Sequence, residues 1–452
     1  MQKANVFFRL KLALFMAALL APCIAMTQPA DLKEENPKYI FLFIGDGMGK
    51  NQRQAAESAL NRELVINHLP VSGTTTTHNV DGKVTDSAAA GTAIACGVKT
   101  KNGMLGLAPD GHVLESIAVK AKKNGMKVGI ISSVPLDHAT PSAFYAHSNS
   151  RANYEEIALQ LAQSDFDFFG GNELLAVSKG KSEALQRIKE CGYCLISNPD
   201  KLSEKYDGKV FICRSFIRAI DEREKSGFSL AEITSAAIRS LDQDKGFFLM
   251  VEGGAIDWAC HNNDGAMAIR ETEEFDRAVQ EALNFLAKRP GKCLVVVTAD
   301  HETGGMTIID HKKTPGLLRQ TGSGGAGKLG SIVAALAKKN AGADIYLTEV
   351  KRFFQLESLT NEEEKELRRS WEEYLINGEK AKGIPPAKDA LRLFNQRCGV
   401  TWTTGGHTGD PVQTTAVGGG ANAFTGNYDN TDICRRLEKL LSSATNTSAA
   451  IK

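Results

Sequence analysis

The chain has 452 residues, of which 42% are hydrophobic and 24% charged, and a formal net charge of +1. These are ordinary values for a globular protein, and the length suits one large α/β domain with an insertion or two domains. The near-neutral balance gives no broad electrostatic case for nucleic acid or for an anionic membrane.

The N-terminus departs from that average. Lys3, Arg9 and Lys11 precede an apolar run from Leu12 to Ala25 that ends in small residues. This is the pattern of a secretory signal peptide over residues 1–25, cleaved near Ala25. The run is short for a transmembrane helix and no later segment is long enough to span a bilayer. The expectation is a chain exported to the periplasm or medium, with no membrane span after cleavage. Pro22 beside Cys23 matches a lipoprotein signal poorly. Cleavage removes Cys23 and leaves Cys96, Cys191, Cys194, Cys213, Cys260, Cys293, Cys398 and Cys434. An even count in an exported protein permits disulfides without fixing their pairing. Cys191 and Cys194 form a CxxC with no second pair to complete a zinc knuckle, which favours a local bridge or free thiols. Cys293 lies in an apolar run and reads as core.

The first element after the leader is the apolar run 39–44, followed by Gly45-Asp46-Gly47-Met48-Gly49. Such runs read as strands buried on both faces of a parallel sheet. The pattern returns at residues 128–131, 246–251 and 294–297, with helical stretches between, such as 118–124 and 275–288. This alternation predicts a doubly wound α/β fold, a mostly parallel central sheet with helices on both faces. Residues 412–417 are a further candidate strand. From about 312 to 400 the rhythm breaks: a Gly-rich stretch (321–330) gives way to charged helices such as 361–376. That segment reads as a surface insertion, either a helical lid or a plain solvated decoration. The small, polar tail 442–452 is expected to lack structure.

Val84-Thr85-Asp86-Ser87-Ala88-Ala89-Ala90-Gly91 puts one serine at the predicted start of a helix, among residues too small to block a bulky ligand. A serine hydroxyl needs an activator, and the Gly-x-Ser-x-Gly elbow that accompanies a histidine base in one large class is absent. Metal-ligand types instead follow the predicted strands. Asp46 follows the first, residues 132–140 the second, Glu252-x4-Asp257-x3-His261 the third and Asp300-His301 the fourth, while His407 precedes the fifth. Ligands in open α/β sheets gather at the carboxyl ends of strands, so these groups can converge. Asp257 and His261 are four apart and share a helix face. Carboxylate and imidazole are sound zinc donors. Each alone has a bland alternative: a turn aspartate, a surface histidine, or, for Asp300-His301, a helix start. Their common position at strand ends favours a multi-metal site.

With these residues the chain resembles the alkaline phosphatases of the metal-dependent superfamily. The matching motifs are Ile44-Gly-Asp46-Gly-Met-Gly49, Thr85-Asp-Ser87-Ala-Ala89, His138-Ala-Thr140-Pro141, Glu252-Gly-Gly-Ala-Ile-Asp257, Thr298-Ala-Asp300-His301-Glu-Thr-Gly-Gly305 and His407-Thr408-Gly409. They run in family order over nearly the whole mature chain. The resemblance implies two zinc ions and one magnesium per chain. Asp257, His261 and His407 would hold the first zinc, Asp46, Asp300 and His301 the second, and Asp46, Thr140 and Glu252 the third ion. Ser87 would be the nucleophile and Arg151 the phosphate clamp, with His138 and Trp258 beside the substrate. Some family members carry Asp where this chain has His138, which leaves the third ion's identity open. Others carry Lys or His where this chain has Trp258, so weaker retention of phosphate is expected here.

The activity implied is hydrolysis of small phosphate monoesters at alkaline pH through a phosphoserine. Ligand histidines must be neutral to bind metal, so low pH should weaken the site. The alternatives are a phosphodiesterase of the same superfamily, against which Thr140 and Glu252 argue, or a non-catalytic phosphate- or zinc-binding envelope protein. The resemblance also implies a homodimer, for which no interface is readable.

Overall fold

The structure is a computed structural model. It describes residues 36–180, 182–213, 228–325, 327–378 and 384–449. The predicted signal peptide and Cys23 lie outside the described residues. The principal strands are β1 (Tyr39–Ile44), β2 (Val71–Thr76), β3 (Lys127–Pro135), β4 (Phe168–Asn172), β5 (Tyr193–Ile196), β6 (Lys209–Cys213), β7 (Phe247–Glu252) and β8 (Cys293–Thr298). They are followed by the short β9 (Glu302–Thr303), β10 (Met306–Ile308), β11 (Val400–Trp402) and β12 (His407–Thr408), and then by β13 (Val412–Gly418) and β14 (Gly426–Asp429). Ten of them form one sheet in the order β14-β2-β13-β8-β1-β7-β3-β4-β6-β5. Only β13 runs antiparallel to its neighbours, β2 and β8. The doubly wound, mostly parallel fold expected from the sequence is the fold observed.

Successive side chains of a strand point to opposite faces, and here both faces are buried. Phe41 and Phe43 of β1 join Phe247, Leu249, Val295 and Val297 in one core. Ile40, Leu42 and Ile44 join Phe248, Met250, Leu294 and Val296 in the other. Helices Lys50–Leu60, Leu230–Leu241 and Gly265–Ala287 cover the first face; Ser87–Cys96, Ile117–Lys123 and Tyr154–Gln163 cover the second. Each fully buried Phe, Leu or Ile contributes about 1.5–3 kcal/mol of transfer free energy. That burial fixes the register of the central strands. In that register Ile44 of β1 lies level with Glu252 of β7 and Thr298 of β8, and Glu252 lies level with Ser132 of β3. The carboxyl ends of β1, β7 and β8 are therefore flush, β3 runs on beside them to Pro135, and the loops after the four strands open onto one patch.

The segment between β10 and β11 folds as helices Lys328–Lys338, Ala343–Phe354, Asn361–Asn377 and Pro385–Arg397. It is less polar inside than its sequence suggests. Tyr346 and Trp371 are fully buried and stacked, with ring centroids 4.9 Å apart, and the Trp371 indole donates to Ala341 O at 3.0 Å. β10 pairs with β11, Met306 opposite Trp402, so both ends of the segment are tied together. Cys96, Cys191, Cys194, Cys260, Cys293, Cys398 and Cys434 are all free thiols, so the CxxC is not a bridge. The last helix, Thr431–Ala449, runs through most of the tail expected to be unstructured.

Candidate active site

Ser87 opens the helix Ser87–Cys96 because Asp86 caps it. Asp86 is extended (φ −103°, ψ 170°) and its side chain accepts from Ala89 N at 3.0 Å. This satisfies one of the unpaired N–H groups of the first turn. Its other oxygen accepts from Gly103 N at 3.0 Å and from Arg151 Nη1 at 3.2 Å. The small residues after Ser87 have a packing reason. A Cβ at Gly91 would lie 3.2 Å from Ala143 Cβ and 3.3 Å from Thr140 Cα, so the helix sits tightly against the segment carrying Thr140.

The strand-end residues converge on Ser87. Its Oγ lies 3.2 Å from His301 Nε2. His301 Nε2 in turn lies 3.4 Å from Asp46 Oδ1 and 3.1 Å from Asp300 Oδ2. Asp257 and His261, one turn apart on helix Ala255–His261, meet at 3.2 Å. His407 Nε2 is 3.1 Å from His261 Nε2 and 3.7 Å from Asp257 Oδ1. Thr140 Oγ1 donates to Asp46 Oδ2 at 3.2 Å, and Glu252 accepts from Ser132. Arg151 Nη2 lies 3.1 Å from His138 Nε2, and the His138 ring meets Trp258 edge-on with centroids 5.8 Å apart. All the residues singled out in the sequence thus come together. Three ligand groupings recur among them: Asp257, His301 and His407; Asp46, Asp300 and His301; and Asp46, His138 and Glu252. The first contains His301 where His261 was expected, and the third contains His138 where Thr140 was expected.

Asp46, Thr140, Glu252, Asp300 and His301 are completely buried. Burial, and then the charges of Asp300, Asp257 and Glu252, hold the Asp46 carboxyl well above the usual range. Burial pushes Glu252 up to about 8. Burial would also raise Asp257, but the hydrogen bond from His261 and the neighbouring imidazoles outweigh it and hold Asp257 low. His138 and His407 are each pushed down to about 4, chiefly by burial. They stay neutral, the form that ligates metal.

The donor set fits bound cations. Asp46 Oδ1, Asp300 Oδ2, Glu252 Oε1 and His138 Nδ1 are buried with no hydrogen-bond partner. Buried charged oxygens without a partner are costly, and a cation satisfies them together. Carboxylate with imidazole suits zinc, and carboxylate with hydroxyl suits magnesium.

Residues outside the expected set build the surroundings. Thr303 Oγ1 donates to Asp257 Oδ1 at 2.6 Å and lies 3.2 Å from His301 Nδ1. Glu302 is buried and bonded to Gln52 and Thr408. Their adjacency to His301 and His407 was the available sequence signal. His407 itself belongs to β12, paired with β9, rather than to an open loop.

A profile of the alkaline phosphatase family matches residues 37–169 and 181–443. Alkaline phosphatase 4 of Bacillus subtilis (strain 168) is 30% identical over 98% of this chain and 99% of its own length. Among solved structures, the cold-active alkaline phosphatase of the psychrophile Shewanella sp. is 30% identical, with a TM-score of 0.76 over 89% of this chain and 99% of that one. The alkaline phosphatase of the Antarctic bacterium TAB5 is 25% identical, with a TM-score of 0.64 over 91% of this chain and 99% of that one. A histidine-to-aspartate mutant of the TAB5 enzyme has Mg bound in its M3 site. Sequence, fold and the convergence of residues able to hold metal on one buried serine agree: this chain belongs to the alkaline phosphatase family.

Proposed function

We propose that the protein hydrolyses phosphate monoesters at alkaline pH through a transient phosphoserine at Ser87, releasing first the alcohol and then inorganic phosphate. The observation that carries this reading is the Ser87 hydroxyl, 3.2 Å from His301 within a buried cluster of carboxylates and imidazoles. Asp257, His261 and His407 would hold one zinc and Asp46, Asp300 and His301 a second. Asp46, Thr140 and Glu252 would hold a magnesium, with His138 within reach of the same site. When bound, such ions favour the serine alkoxide and a hydroxide near neutral pH and offset charge on the transferring phosphoryl oxygens.

The chain's own groups supply the rest. Ser87 Oγ attacks phosphorus, a P–O bond to the alcohol breaks, and water later cleaves the phosphoserine. The start of helix Ser87–Cys96 aims backbone N–H groups and a favourable dipole at the phosphate. Arg151 grips two phosphate oxygens; Asp86 on Nη1 and His138 beside Nη2 fix its plane. Trp258 puts a ring, not a cation, beside the phosphate, so inorganic phosphate leaves readily. Residues 1–25 support export, and residues 26–452 are read as one domain with a helical cap at about 312–400. No helix among the described residues is long and apolar enough to cross a membrane.

The test is hydrolysis of a chromogenic phosphomonoester and its diester counterpart, with and without chelator. Monoester turnover that chelation abolishes is expected. Turnover that survives exhaustive chelation, or that favours the diester, overturns the reading. Ser87→Ala should form no phosphoenzyme while metal analysis still finds the ions; a phosphoenzyme in that variant moves the nucleophile elsewhere. Trp258→Lys should strengthen inhibition by inorganic phosphate by about tenfold, the effect of one added charge-assisted contact. Unchanged inhibition and turnover refute the role given to Trp258.

A further inference from the structure

The chain leading into Ser87 is held from one side by a single amide. Asn102 Nδ2 donates to Val84 O at 3.1 Å, and Asn102 Oδ1 accepts from Asp86 N at 3.1 Å. The side chain thus spans Thr85 and bonds the backbone on both sides of it. The second bond has a consequence across the peptide plane. The N–H of Asp86 and the C=O of Thr85 belong to one peptide unit, which is planar and trans, so they point in opposite directions. Asn102 holds the N–H, and the C=O lies 2.9 Å from His407 Nδ1. A carbonyl oxygen only accepts, so Nδ1 carries the proton and Nε2 keeps its lone pair. Nε2 is the atom that faces Asp257 Oδ1 at 3.7 Å, in the grouping of Asp257, His301 and His407.

The turn that carries Asn102 holds other parts of the site as well. Met104 N donates to Lys101 O at 3.1 Å and closes the turn. Gly103 N donates to Asp86 Oδ2 at 3.0 Å, and Gly103 O accepts from Arg151 N at 2.8 Å. Two adjacent residues therefore fix the cap of helix Ser87–Cys96, the backbone of Arg151 and, across the Thr85–Asp86 peptide, the ring of His407. Resting on the monoesterase reading, we propose that Asn102 is a positioning residue. Its amide orients the Thr85–Asp86 peptide, and so sets the His407 tautomer for metal and the approach of Ser87 to phosphate. Both ends of the amide are needed: an aspartate lacks the donor for Val84 O, and an alanine lacks donor and acceptor alike. Asn79 provides the contrast. Its Nδ2 also donates to Asn102 Oδ1, at 3.1 Å, but its Oδ1 accepts from Asp81 N and Lys83 N, so it shapes the preceding turn.

The test compares wild type, Asn102→Ala and Asn79→Ala. Asn102 is exposed, so its truncation leaves no cavity in the core. The first readout is the nitrogen NMR spectrum of the imidazoles in metal-free protein at alkaline pH, with His407 assigned by the loss of its signal in His407→Gln. Wild type and Asn79→Ala should show His407 protonated at Nδ1, and Asn102→Ala a mixture of the two tautomers. The second is zinc affinity by equilibrium dialysis. It should fall about tenfold in Asn102→Ala, the low end for a lost orienting partner, and stay within about twofold in Asn79→Ala. The third is kcat/KM for a chromogenic phosphomonoester at saturating zinc, expected to fall about tenfold in Asn102→Ala, within the cost of a displaced reacting group. A His407 tautomer that Asn102→Ala leaves unchanged overturns the assignment, whatever zinc affinity does. Equal changes in Asn79→Ala overturn it too, since the turn is then only a structural prop. If wild type hydrolyses no phosphomonoester, the monoesterase reading fails, and the tautomer and dialysis still decide the role of Asn102.

Discussion

Glu302 is 4% exposed and accepts hydrogen bonds from Gln52 Nε2 at 2.6 Å, from Gly305 N at 3.0 Å and from Thr408 Oγ1 at 2.6 Å. It touches no phosphate in the proposed mechanism, yet it ties the loop carrying His301 to the ribbon carrying His407. The neighbouring Thr303 does the same for Asp257. Gly49 makes room for this tie: a Cβ there would lie 2.3 Å from Glu302 Cγ, although its φ of −73° suits any residue. Groups of this kind orient metal ligands, and their loss typically costs about 10–100-fold in metal affinity. Thr408→Val, which keeps the shape and removes the donor, should therefore raise the zinc dissociation constant by about that factor in equilibrium dialysis. Thr408→Ser should restore it. Equal zinc affinity in Thr408→Val and wild type would show that the tie is only structural. Most of the candidate ligands were legible in the sequence because they follow apolar runs, and His407 because it stands just ahead of one. The role of Glu302 was not: its place beside His301 was a local signal, but its partner Thr408 is 106 residues away, so the tie between them could not be read.

At the scale of elements, legibility followed burial. β1, β3, β7 and β8 are central and apolar, and their runs stand out. β2, Val-Ser-Gly-Thr-Thr-Thr, buries every second residue and has no such run. β5 and β6, at the edge of the sheet, are short. In the 312–400 segment, Tyr346, Leu347, Val350, Phe353 and Phe354 recur at helical spacing and are all buried. The charge density of the surrounding sequence hid this amphipathic stripe. Turns make a sharper prediction. Gly246, which leads into β7, has φ +80°, and a Cβ there would lie 1.8 Å from Lys38 O. Gly82 has φ +73° with nothing within 4 Å. Gly82→Ala should cost only the left-handed backbone penalty, about 1–2 kcal/mol. Gly246→Ala must in addition separate β7 from the chain entering β1, since Phe247 N donates to Lys38 O at 3.1 Å. Its urea midpoint should fall well below that of Gly82→Ala, and equal midpoints would show that the turn yields without cost.

For the whole molecule, the flush ends of β1, β7 and β8 concentrate carboxyl groups where water is absent, and burial holds Asp46 and Glu252 above the usual range, so their negative charge is costly without a cation. Asp46, Glu252 and Asp300 are completely buried, and Asp46 Oδ1, Glu252 Oε1 and Asp300 Oδ2 have no hydrogen-bond partner. Apolar packing of both sheet faces holds these groups together against their repulsion, so the fold stores free energy that bound cations release. Two consequences separate this from an ordinary polar core. Stripping metal should lower the midpoint of thermal unfolding, because ions that bind only the folded state add about 4 kcal/mol at a thousand times their dissociation constant. Asp46→Asn should act in opposite directions in the two states. In stripped protein it removes one buried, repelled carboxylate and should raise stability by about 1–3 kcal/mol, the cost of an unsatisfied buried group. In metal-supplemented protein it removes a ligand common to two of the groupings and should lower stability, narrowing the gap between stripped and loaded forms. Thermal unfolding of both proteins, with excess zinc and magnesium or with chelator, gives the four midpoints. If stripped Asp46→Asn melts at or below stripped wild type, the carboxylates are satisfied without cations and the stored-energy argument is wrong. If it melts higher while the loaded variant melts lower, the same aspartate that weakens the empty fold is the one that holds the ions Ser87 needs.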